Sequence, residues 1–254
     1  MKARSPSSST PKKRSNSARW SNAAPKWTKT AVLRELKRLA DPHVRAKMTY
    51  FGVNVPKAWG ISAPGLHAFA RQIGKDQTLA EQLWSSGIHE AKILATLIGE
   101  SEKVTPAQME RWVREFDSWD VVDAACCYLY AGARPAWEKV YEWSNRRAEF
   151  EKRAAFSLAA YLSYKDKGAT DARFERFLSV VERESIDERN FVRKAVNWAL
   201  RNIGKRNLRL NKAAIRSAKR IRLQDSKAAR WIAADALREL RSESVQARLR
   251  EKAD

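Results

Sequence analysis

Residues 62–87 read "SAPGLHAFARQIGKDQTLAEQLWSSG", and the punctuation of this stretch points to the fold class. Ser62 stands just ahead of Pro64, and a proline in the first helical turn sacrifices an N–H that has no partner there anyway. Gly74 follows the last apolar position and closes the segment. Asp76 then opens "QTLAEQLW", which Gly87 closes in turn. The same signals recur downstream. Thr105-Pro106-Ala107-Gln108 has capping-box spacing, Ser118 precedes Trp119, and further helices are expected to begin near Pro135, Glu149, Asp171, Asp187, Asn207, Asp225 and Ser242. Gly99, Gly132, Gly168 and Gly204 stand where helices should stop. From Thr30 onward the apolar residues keep the helical period, and no segment shows convincing alternation of period two. The expected fold is all-α, an α-solenoid of degenerate HEAT-like helical pairs recurring every 35 to 45 residues or so, roughly the period of such repeats. An irregular helical bundle would share the same short-range period.

Composition narrows the partners. Lys and Arg number 50 against 29 Asp and Glu, a net charge of +21 that concentrates polyanions at the surface. Nucleic acid is the first partner this suggests. No apolar run is long enough for a membrane span and no apolar signal core opens the chain, so a soluble protein of the cytoplasm, associated with the nucleoid, is expected. Residues 1–27 are rich in Ser, Pro, Lys and Arg and contain no acid, which reads as a disordered basic arm ahead of a solenoid domain over 28–254. An organellar transit peptide is the alternative, opposed by the Pro and Lys content. Cys126 and Cys127 are adjacent, and with only His43, His67 and His89 they give no metal-ligand spacing. Reduced thiols, no metal and no cofactor are the expectation.

Three helices carry unusual side chains. In "DSWDVVDAACCYLY" from Asp117, the apolar stripe is Val122, Cys126 and Leu129, with Trp119 on its flank and Asp123 one turn later. A core tryptophan beside a surface aspartate would explain that pair equally well. The helix containing "RAAFSLAAYL" is apolar nearly all round, yet Arg153 stands in its first turn; it must reach solvent, an acid, for which Asp120 or Glu149 could serve, or a phosphate. In "ERNFVRKAVNWALRNIG" the core stripe is Val192, Ala195, Val196, Ala199 and Ile203, which turns Trp198 toward Lys194, Arg201 and Asn202. Such a face suits phosphates and a stacked base or sugar, although a neighbouring helix could also half cover the ring. Beyond it, Arg201, Lys205, Arg206, Arg209, Lys212, Arg216, Lys219, Arg220, Arg222, Lys227 and Arg230 crowd around the single acid Asp225, a candidate phosphate-binding ridge.

With these residues in order, the chain resembles the AlkD-like DNA alkylation repair family of HEAT-repeat DNA glycosylases. The resemblance rests on "GISAPGLHAFARQI" from Gly60, "SWDVVDAA" from Ser118, "KRAAFSLAAY" from Lys152 and "VRKAVNWALRNIGKRN" from Val192, four motifs in the family's order. It implies a curved solenoid whose concave basic face grips double-stranded DNA carrying alkylated bases and releases cationic N3- or N7-alkylpurines, as a monomer and without cofactor. By the same resemblance Asp123, Trp119 and Trp198 are the catalytic residues. Arg153, Lys194, Arg201, Lys205, Arg206 and Arg209 are expected to bind DNA. A departure is that Ser118 stands where the family's best-known members carry a second tryptophan.

Overall fold

The computed structural model describes residues 27–53 and 56–252, and among these there are fourteen α-helices and no strand. In chain order they are α1 (Lys29–Arg38), α2 (Pro42–Tyr50), α3 (Ala63–Ile73), α4 (Gln77–Trp84), α5 (His89–Ile98), α6 (Pro106–Arg114) and α7 (Trp119–Ala124). There follow α8 (Ala136–Ser144), α9 (Glu149–Lys165), α10 (Asp171–Glu184), α11 (Asn190–Gly204), α12 (Leu208–Arg222), α13 (Lys227–Leu240) and α14 (Glu243–Glu251). The basic arm expected over 1–27 lies outside the described residues except for Trp27, whose ring meets Phe69 edge-on at 5.1 Å.

Local chemistry accounts for the helix starts. The side chains of Ser62, Asp76 and Thr105 accept the backbone N–H groups of Gly65, Leu79 and Gln108, at 3.3, 2.9 and 3.1 Å. Asn207 and Ser226 cap α12 and α13 in the same way. Helix α11 begins three residues beyond Asp187, because that carboxylate accepts both the backbone N–H and the guanidinium of Arg189 and so closes a turn ahead of the helix.

Packing assembles the helices into two layers. Helices α3, α5, α7, α9, α11 and α13 stack side by side, each touching the next. Behind them α4, α8, α10 and α12 pack on α5, α9, α11 and α13. The chain is thus a solenoid of HEAT-like helical pairs. Successive inner helices begin at Trp119, Glu149, Asn190 and Lys227, steps of 30, 41 and 37 residues, so the repeat is shorter in its first half than expected.

Side-chain bonds of similar span lace the pairs together. Trp84 donates to Glu115 and Trp143 to Glu110, both at 2.9 Å, and the buried rings of Trp84 and Trp112 stack 3.9 Å apart. Buried indoles of this kind contribute large contact areas while their N–H groups remain satisfied. Gly60 holds a close approach between the α2 start and the loop before α3: its φ is +83°, and a Cβ there would lie 2.3 Å from the Asp41 carbonyl oxygen. The carboxylate of buried Glu90 gathers the N–H groups of Trp59, Gly60 and Ile61 and fixes that loop against α5.

Candidate functional site

Helix α7 carries Trp119 and Asp123, two of the residues singled out in the sequence. Ser118 does not cap it through a backbone N–H; its hydroxyl donates to Asp120 Oδ1 at 2.5 Å, and the same oxygen accepts the Val121 N–H at 3.0 Å. Asp120 Oδ2 is 2.8 Å from Nε2 of the buried His89, which ties α7 to α5. The Asp120 charge raises the His89 pKa even though burial alone would lower it. One turn on, Trp119 and Asp123 share a face as their spacing requires. The Trp119 indole donates to the Phe51 carbonyl at 3.1 Å, which fixes the plane of its ring.

Asp123 is held from both sides by α9. Its Oδ2 accepts Arg153 Nη2 at 2.7 Å and its Oδ1 accepts the Ser157 hydroxyl at 2.8 Å. Arg153 is 6% exposed, donates its other terminal nitrogen to the Phe191 carbonyl at 2.9 Å and lies 6.0 Å from the Trp119 ring centre. The acid that meets Arg153 is therefore Asp123. The two partners suggested by sequence are engaged elsewhere, Asp120 with His89 and Glu149 with the Phe191 N–H at 3.2 Å. Burial pushes the Asp123 pKa above its ordinary 3.8, and the cation and hydroxyl moderate this without reversing it. Immediately after α7 the chain makes a π-helical turn, Ala125–Leu129, whose Ala125, Cys126 and Leu129 are buried. Ala125, Cys126 and Leu129 are packing surface while Tyr128 stands exposed, and both cysteines are free thiols.

Trp198 on α11 is half-buried, with its ring edge-on to Tyr161 of the preceding inner helix α9 at 4.9 Å. A hollow of about 490 Å³ opens on the inner layer between α7, α9, α11 and α13. Trp119, Asp123, Arg153 and Trp198 all line it, joined by Lys194 and Arg201. On the other side of α7 a second, more apolar hollow of about 590 Å³ is bounded by Met48, Leu66, His67, Tyr128 and Tyr161. Phe51, Trp119 and Asp123 line both and form the partition between them.

The structure divides the remaining cations. Lys194 is exposed at the first hollow and has no acid within ion-pair distance among the described residues. Arg201 pairs with Glu239 and lies 3.4 Å from Asp235, and Lys205 meets Glu239 at 2.7 Å. Arg206 donates to the carbonyls of Ser163 and Ala169 at 2.8 and 2.9 Å and covers the Phe174 ring, an arrangement that fastens α11 to the end of α9. Arg209 makes a two-pronged pair with Glu175 at 2.9 and 3.0 Å. Lys205, Arg206 and Arg209 do not line the hollow. Much of the basic run that reads as one ridge in sequence thus laces neighbouring repeats together.

Five lining residues escaped the sequence reading: Phe51, Phe191, Asn197, Trp231 and Asp235. Two of them carried a usable signal. Trp231 and Asp235 on α13 repeat the four-residue spacing of Trp119 and Asp123, and each pair lines the same hollow from opposite ends of its wall of helices. Trp231 is 40% exposed, with the Arg193 guanidinium 5.2 Å from its ring centre, and Asp235 accepts the Asn197 amide at 2.7 Å.

Comparison with known proteins bears on the fold and the family. Among curated proteins none matches the chain significantly. A solved structure covers 88% of this chain and 96% of its own with a TM-score of 0.72 at 18% identity; it represents a new family of proteins related to the HEAT-like repeat DNA glycosylases with affinity for branched DNA structures. That likeness establishes the fold. The profile of the DNA alkylation repair enzymes matches residues 32–240, a span that holds the whole hollow, and the chain belongs to that family.

Proposed function

We propose that the protein is a monofunctional DNA glycosylase that hydrolyses the N-glycosidic bond of cationic N3- and N7-alkylated purines in duplex DNA. The observation that carries this reading is the Asp123 carboxylate set in the wall of an aromatic hollow between Trp119 and Trp198. An alkylated purine already bears positive charge and leaves readily, so bond breaking builds cationic character on the deoxyribose. No strong acid is needed. The Asp123 carboxylate stabilises that developing charge and orients the attacking water, and the indole faces attract the cationic nucleotide. Arg153 and Ser157 act on Asp123, holding both oxygens in place. Lys194, beside the hollow and without an acidic partner among the described residues, takes a neighbouring phosphate; Arg201 takes part once DNA competes with its carboxylates.

The decisive experiment is incubation with methylated duplex DNA and chromatographic detection of released N3- and N7-methylpurines. Release that disappears in Asp123→Asn supports the reading. Binding of that DNA without base release sinks it.

Two observations favour a second reading, a non-catalytic protein that binds bent or branched DNA. Both Asp123 oxygens already accept internal hydrogen bonds, and the similar solved structure belongs to a family with affinity for branched DNA. Tight binding to four-way junctions with no released base selects it.

A further inference from the structure

Helix α13 presents two different surfaces. Trp231 and Asp235 face the hollow described above. An adjoining stripe of the same helix, Arg230, Ala234, Arg238 and Arg241, lines a separate hollow of about 610 Å³ together with Leu237 and with Arg222 from the end of α12. Four arginines thus converge over a small apolar floor. Two carboxylates answer them: Arg238 pairs with Asp235, and Arg230 lies 3.1 Å from Asp225, an acid that is fully exposed. Arg222 and Arg241 are exposed and have no acidic partner among the described residues.

Elsewhere in the basic run Arg201, Lys205, Arg209 and Arg220 each meet a glutamate of a neighbouring helix, while Lys212, Arg216 and Lys219 stand exposed along α12 with no acid within ion-pair distance among the described residues. The α12–α13 edge is set apart by the hollow on which its arginines converge. From Arg230 to Arg241 the helix rises about 16 Å, close to the axial length of five nucleotides of one strand. Guanidinium groups spread over that length can meet phosphates several nucleotides apart on one strand.

We infer that the arginine-lined hollow between α12 and α13 is a second phosphate-binding site, which holds the backbone of the DNA flanking the segment seated at Trp119 and Asp123. The inference rests on the DNA-binding reading above and extends it to a surface outside the base-facing hollow. Its occupant is a phosphodiester backbone. The hollow continues along the same helix from residues that line the DNA-facing site, whereas a protein partner would find only Ala234 and Leu237 as apolar contacts.

The test compares the full chain with Arg222→Ala/Arg241→Ala and with a control, Arg34→Ala/Lys37→Ala, which removes the same charge from the exposed face of α1. Fluorescence anisotropy on a 30-base-pair duplex across a salt series is the readout. The α12–α13 double variant is expected to bind about tenfold more weakly, with a log–log salt slope shallower by about 2, as loss of two phosphate contacts requires. The control variant should change neither by more than about twofold on the same scale. Equal losses in both double variants would reduce the effect to net charge and overturn the inference, as would no loss in either. Polyglutamate competing selectively for Arg222 and Arg241 would overturn it in favour of an acidic polypeptide. A full chain that binds no duplex at all would sink the DNA-binding reading first, a result distinct from any of these.

Discussion

At the residue scale, the proposed chemistry rests on Asp123. It is a carboxylate whose burial raises its pKa above 3.8, tempered by Arg153 and Ser157. Activity that needs the ionised form must therefore decline on the acid side as Asp123 takes up its proton. Removing a donor to the charged form moves that decline to higher pH. Ser157→Ala is expected to shift the acid limb of the excision profile upward while leaving the alkaline side in place. Asp123→Asn should retain DNA affinity and lose a hundredfold or more in single-turnover excision, roughly the loss found when a key electrostatic stabiliser is removed.

The spacing of Trp119 and Asp123 was legible in sequence because i and i+4 share a helix face whatever that face meets. The partner of Arg153 was not. Asp120 and Asp123 stand on the same helix and are comparably remote from it in sequence, and only the stacking of α9 on α7 selects Asp123 while α5 takes Asp120 through His89.

At the scale of elements, α7 is positioned by contacts it does not itself contain. The His89–Asp120 pair joins it to α5 at 2.8 Å, with the imidazole 3% exposed. Protonation of His89 is favoured in the folded state, so its contribution is complete below the ordinary 6.5 and is lost as pH rises through the raised value. Asp120 is held below 3.8: burial alone would raise it, but the bond and charge of His89 together with the bonds from Ser118 and Val121 outweigh burial, and its contribution is lost as pH falls through that lowered value. The pair should therefore contribute most between those limits. Urea titrations are expected to show His89→Gln costing about 2 kcal/mol near pH 5.5, the order of a charge-assisted hydrogen bond, and less at pH 8.5. An equal cost at both pH values would assign the effect to packing.

The loop before α3 makes a second case. Gly60→Ala must place a methyl group 2.3 Å from the Asp41 carbonyl oxygen at a left-handed φ, and is expected to destabilise by about 3 kcal/mol in the same titration. Gly74 also has positive φ, but a methyl group there would meet nothing within 4 Å, so alanine faces backbone strain alone and should cost less.

At the scale of the whole molecule, charge serves cohesion and binding together. The sequence shows a cationic run with one acid inside it. The solenoid brings acids from other repeats alongside, so that Glu239 alone engages both Arg201 and Lys205. Glu239→Gln is expected to release both cations, strengthen duplex binding severalfold at low salt, and lower stability by about 1 kcal/mol, the modest value of partly exposed pairs. Anisotropy at two salt concentrations and a thermal melt would check the two effects together. Weaker binding with lower stability would show instead that the pair shapes the DNA-facing surface.

Local features are written in the sequence alone: helix starts at side-chain caps, stops at glycines, the apolar stripes, the excess of positive charge, and the face on which each tryptophan or carboxylate sits. These follow from backbone geometry over a turn or two, so they survive any tertiary arrangement. Which faces meet is a matter for the folded chain. Partners 30 to 40 residues apart, such as Arg153 with Asp123 or Asn197 with Asp235, are set by the stacking of one helical pair on the next. The sequence marks no register for that stacking, because packing between repeats depends on the summed fit of many apolar side chains rather than on any motif. For the same reason Trp231 stood unremarked until α13 was seen beside α11, closing the hollow that α7 opens.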